Sequence, residues 1–196
     1  YTPLGNVTHF KLLKMLEHLG VDTSTVELIQ SEGGQAAVAA HAAGEVAMAC
    51  AFGGAVNEMI ANGGNLVMTG AEQEAIGIRV FDIISAPREF AEANADIVTK
   101  FLQVTEDANS AYNADPGPTI EVIAGAAEMG VPETEALIAA FAFPDKDTQL
   151  SADWLGGTVQ NVMKEQMDFF VEQGEIEGAL DSYDSFVDTS YLEGVN

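Results

Sequence analysis

The chain has 196 residues, is 47% hydrophobic, and sets 31 acidic residues against 7 basic ones for a net charge of −24. That length suits one large domain or two small lobes with real cores. The cations Lys11, Lys14, Arg79, Arg88, Lys100, Lys146 and Lys164 are dispersed, which excludes nucleic acid, because binding it needs clustered Lys and Arg.

In chain order, "TPLGNVTHFKLLKML" leads a short polar loop into an amphipathic helix over 8–19, with Phe10, Leu12, Leu13, Met15, Leu16 and Leu19 mostly on one face and Gly20 as its stop. "VELIQ" (26–30) reads as a strand, "QAAVAAHAA" (35–43) as a helix, "EVAMACAF" (45–52) as a strand, "GAVNEMIANGG" (54–64) as a helix and "NLVMT" (65–69) as a strand. This alternation predicts a compact α/β lobe. Polar "TGAEQEAIG" (69–77) interrupts it, and "IRVFDIIS" (78–85) follows as a strand. Beyond Pro87 the pattern turns helical over roughly 87–113, 118–129, 132–142 and 151–173, then short pieces to 192. One strand among so many helices is an odd ratio for a free-standing lobe, and the second part reads as half of a unit whose sheet lies elsewhere.

The acids are scattered, which describes a solvated surface suited to salty, halophilic or marine surroundings, where screening mutes self-repulsion. Cys50 is the lone cysteine, so no internal disulfide or cysteine-based metal site is expected, and its apolar neighbours make it a small buried hydrophobe. His18 and His41 lie on predicted helices without metal-ligand spacing and are expected at the surface. No apolar run reaches the ~18 residues of a membrane span. No signal peptide is visible, and the chain opens on Tyr1 rather than Met.

Several stretches in fixed order carry a family resemblance: "THFKLL", "GVDTSTVELIQ", "GEVAMACAFGGAVNEMI", "FDIISAPREFAEANADIVTKFL" and "FFVEQGEIEGALDSYDSFVDTSYL". The chain resembles the C-terminal two-thirds of a periplasmic substrate-binding protein of ABC importers, in the taurine and alkanesulfonate branch. It departs at Phe52, where relatives often carry Trp, at Gly54, where they carry Pro, and at Ala47, which replaces an acid. The resemblance implies an α/β, type II periplasmic binding protein fold: two α/β lobes with a cleft closed by a hinge, the first part of lobe one being absent from this chain. Residues 1–75 would be lobe two, and 76–196 the hinge and helical remainder of lobe one. It implies a non-enzyme that binds taurine or a close sulfonate in the periplasm and delivers it to an ABC permease in the inner membrane. No cofactor or metal is expected, and a secreted precursor is. The alternatives are another small anion (an alkanesulfonate, or a nitrate-like one) and an enzyme of thiamine-pyrimidine synthesis sharing the fold, which would need a substrate-linked Lys and a His-rich iron site.

Site residues follow from ligand chemistry. A sulfonate is a permanent anion with three acceptor oxygens, and N–H groups at a helix start can bind it without a cation. Gly5, Asn6, Thr8 and His9 at the first helix form one such seat; the plainer reading is N-capping by Asn6 or Thr8 with His9 exposed. Asp82 interrupts a predicted strand, where Asp is disfavoured. Arg79, three residues back, falls on the opposite strand face. Asp82 reads either as the partner of the ligand's ammonium or as a solvated strand-end residue. Phe52 either closes over the ligand's short stem or packs in the core. Ser31 and Gln35 flank "EGG" at another helix start and supply either a second set of donors or a cap. Trp154 faces either the cleft or the core.

Overall fold

The computed structural model describes Thr2 and residues 5–196. Its contacts divide the chain into two compact units, Tyr1–Val80 with Glu165–Ala179, and Phe81–Lys164 with Leu180–Asn196. Against the expected 1–75 and 76–196, the division falls at 80/81, and 165–179 returns to the first unit. The reason is apolar: Phe169 and Phe170 are buried in the same cluster as Phe10, Leu13 and Leu16.

The first unit holds α1 (Val7–His18), α2 (Gly34–Ala42), α3 (Gly54–Ala61), α4 (Gly70–Ala75) and the C-terminal part of α10 (Thr158–Glu172). Phe10, Leu12, Leu13, Met15 and Leu16 of α1 are all buried, as the helical spacing requires. Residues 69–77 prove to contain α4. Thr69 and Glu72 form a capping box in which Thr69 accepts from the Glu72 N–H and Glu72 accepts from the Thr69 N–H, and that T-x-x-E signal was available in the sequence.

The four expected strands, 26–30, 45–52, 65–69 and 78–85, are corrected: none forms a ladder. Among the described residues there is one isolated parallel bridge, Thr2 to Gln30, made by Thr2 N–H to Ile29 O at 3.1 Å and Ser31 N–H to Thr2 O at 3.0 Å. The side chains nevertheless alternate as on strands. Val26, Leu28, Met48, Cys50 and Met68 pack on the cluster around Phe10 and Phe169. Ala49 and Ala51 pack on Val38, Ala55 and Met59 of α2 and α3. Segment 45–52 therefore forms a middle layer between α1 with α10 and α2 with α3, while Val26, Leu28 and Met68 pack on the side of α1 and α10. The hydrophobic pattern is that of an α/β layer, but a ladder also needs a neighbouring backbone at hydrogen-bonding distance. Cys50 is half-buried in this layer, and burial pushes its thiol pKa up.

The second unit is helical: α5 (Arg88–Ala93), α6 (Ala95–Ala114), α7 (Pro116–Ala127), α8 (Val131–Ile138), α9 (Lys146–Leu150), the start of α10 and α11 (Ser190–Glu193). Asn94 separates α5 from α6 with φ −133°, its side chain donating to Phe90 O at 2.8 Å. Glu106 of α6 is buried and accepts from the Lys146 N–H at 3.0 Å and from Gln149 Nε2 at 3.2 Å. The Lys146 ammonium donates to Glu193 O at 3.2 Å and to Val195 O. A cation at the end of α11 and a carboxylate at the start of α9 both complement helix dipoles. The outer face of α6 carries Ile97, Phe101 and Val104, each more than half exposed.

Candidate functional site

The loop before α1 is a finished cap. Asn6 Oδ1 accepts from the Thr8 N–H at 2.8 Å and the His9 N–H at 3.3 Å. The Gly5 N–H donates to His9 Nδ1 at 3.2 Å. Three donors that an anion would use are therefore engaged within the loop. The cap is Asn6 rather than Thr8, whose side chain is buried, and His9 is only 3% exposed rather than lying on the surface. Burial lowers the His9 pKa, with Glu175 acting in the opposite sense.

The starts of α2 and α3 are built differently. Each opens on a glycine doublet, Gly33-Gly34 and Gly53-Gly54, and neither has a side-chain cap. Gly33 has φ 120° and Gly53 φ 62°, a region that side chains with a Cβ adopt only under strain. A Cβ on Gly34 would lie 3.0 Å from the Ala55 Cβ, so the two helix starts meet. Their far ends meet too, since a Cβ on Gly64, just beyond α3, would lie 2.9 Å from His41 Cε1 of α2. His41 is thus half-buried there rather than at the surface. Start against start and end against end means that the helices run side by side in the same direction. Their positive dipole ends coincide, and first-turn N–H groups of both are left without intrahelical acceptors.

Three residues singled out in the sequence gather here. Ser31 is buried, donates to Gly33 O at 3.0 Å and accepts from the Gly33 N–H at 3.3 Å, so it sets the turn that opens α2. Gln35 Nε2 donates to Glu58 Oε2 of α3 at 3.2 Å, tying the two helices together. Phe52, immediately before Gly53, is 77% exposed and is not a core residue. Gly34 and Glu58 were missed; the repeated Gly-Gly doublets were the readable signal for the pair. Chemically, such a junction can offer an anion several converging backbone donors with room for close approach.

Asp82 and Trp154 belong to the second unit. Asp82 is exposed in the non-helical segment 78–87, and among the described residues it has no hydrogen bond or ion pair. Trp154 is half-buried, its ring edge-on to Phe81 at 4.9 Å and 75°, so the tryptophan is anchored by a neighbour of Asp82. Among the described residues no three His, Cys, Asp or Glu side chains gather as a metal set, and no helix is long and apolar enough to cross a membrane.

Comparison with known proteins gives two findings. The family model described as "NMT1/THI5 like" matches residues 1–119, more than half of the chain. The taurine-binding periplasmic protein of Escherichia coli (strain K12) is 27% identical over 198 residues, an alignment covering 97% of this chain and 60% of the relative.

Proposed function

The chain belongs to the NMT1/THI5-like family, and we propose that it serves a periplasmic binding protein that captures taurine or a closely related sulfonate for an ABC importer, without catalysing a reaction. The observation that carries this reading is the meeting of two uncapped helix starts at Gly34 and Ala55. A sulfonate presents three acceptor oxygens and a charge that does not titrate away. Converging N–H donors at the positive ends of two co-directional helices complement both properties. Phe52 stands exposed beside these donors and supplies an apolar surface for the ligand's two-carbon stem. We propose Asp82 of the second unit as the residue that reads the ammonium distinguishing taurine from a plain alkanesulfonate, on its own chemistry alone: it is exposed and, among the described residues, has no hydrogen bond or ion pair. The name of the Escherichia coli relative supports the same ligand class. The loop Gly5–His9, whose donors are already engaged, contributes by holding α1 in place.

Titration calorimetry of taurine against the protein and its Gly34→Val variant tests the seat. A valine side chain cannot share the 3.0 Å approach to Ala55, so the helix starts must separate and taurine binding must weaken. Unchanged taurine affinity in a folded Gly34→Val protein overturns the assignment of the seat.

A further inference from the structure

His9 is a buried titratable group with no part in the proposed seat. Its ring lies edge-on to Phe169 of α10, with centroids 5.7 Å apart at 77°. Because Nδ1 accepts the Gly5 N–H, the proton of the neutral ring sits on Nε2, which is buried with no hydrogen-bond partner. α10 meets the ring with Phe169, and the turn after α10 presents Glu175, the charged group that acts on the imidazole. Glu175 Oε2 lies 3.7 Å from where a Cβ on Gly5 would be. The Glu175 carboxylate therefore lies beside Gly5, the residue whose N–H the His9 Nδ1 atom accepts.

We propose that His9 and Glu175 form a two-position latch on the loop before α1. In the neutral position Nδ1 accepts the Gly5 N–H and pins the loop to its helix. A proton taken from solvent onto Nδ1 makes that nitrogen a donor, so it can no longer accept from Gly5. The new N–H is offered to the Glu175 carboxylate instead. The loop is released, and the turn at 173–177, through which the chain passes on its way to the second unit at Leu180, is drawn to α1. Burial lowers the His9 pKa below its ordinary 6.5, and Glu175 offsets part of that. The sign follows: the unfolded chain binds the proton more readily than the folded one. The contribution of His9 to folded stability is therefore full above 6.5 and declines as pH falls from there through the folded value.

The test is nitrogen-15 NMR of the full chain across pH, with the ring nitrogens of His9 and the Gly5 amide as reporters. The latch requires the Nε2–H tautomer at neutral pH. It requires Gly5 amide protection to fall about fivefold or more, one net hydrogen bond, in step with His9 titration. In Glu175→Gln, His9 must titrate at lower pH than in the parent, and Gly5 must stay protected to correspondingly lower pH. An Nδ1–H tautomer in the parent protein at neutral pH overturns the proposal without any variant. So does a His9 titration that Glu175→Gln leaves in place.

Discussion

Truncating Phe52 to alanine separates a ligand role from a folding role. The side chain is 77% exposed, so its removal opens no cavity and deletes little packing. Surface substitutions of this kind shift stability within about ±0.5 kcal/mol, whereas Phe→Ala in a core costs about 3–5 kcal/mol. Binding behaves differently if the ring covers the ligand stem. Taurine has two methylenes, and each one buried is worth roughly 0.8 kcal/mol. Losing that cover costs about 1.6 kcal/mol, on the order of tenfold in Kd. Thermal melting of the free protein and titration calorimetry with taurine, run on the same preparations, give the two numbers. The expected outcome is an unchanged melting midpoint with about tenfold weaker binding. A lowered midpoint would show that Phe52 packs after all. An unchanged midpoint with unchanged affinity would refute its place over the stem.

Asp82→Asn should weaken taurine by about thirtyfold or more, because an ammonium that loses its carboxylate keeps its desolvation cost; ethanesulfonate should hardly respond, and equal losses by calorimetry would remove the ammonium-reading role. Phe10→Ala, at 1% exposure in the main cluster of the first unit, should destabilise by about 3–5 kcal/mol in chemical denaturation, and a loss below about 1 kcal/mol would place the core elsewhere. With a net charge of −24, the melting midpoint should rise with sodium chloride as repulsion is screened; a midpoint indifferent to salt would contradict a salt-adapted surface. The α6 stripe of Ile97, Phe101 and Val104 should bind a hydrophobic dye in the native state, and Phe101→Lys with Val104→Lys should abolish most of that fluorescence.

The helices were legible because their causes are local. Phe10, Leu13 and Leu16 mark a face by spacing alone, and Gly20 ends it where the periodicity stops. Thr69 and Glu72 even encoded the helix that the polar composition of 69–77 concealed. The Gly-Gly doublets at 33–34 and 53–54 were equally visible as two helix starts without caps. What no local pattern contains is a partner. Met48 and Cys50 turn one way and Ala49 and Ala51 the other, as strand residues do, yet whether a ladder forms depends on a second backbone alongside. The seat has the same character, since each doublet is ordinary by itself and becomes a possible anion site where Gly34 meets Ala55. His9 makes the point most sharply. The sequence read it either as an exposed residue beside the cap or as a ligand contact, whereas its buried ring packs edge-on to Phe169, 160 positions along the chain, and one of its nitrogens holds Gly5. Spacing along the chain sets which face a residue occupies. The solvent and charge that face experiences are set by segments distant in sequence, because burial and electrostatics act through space.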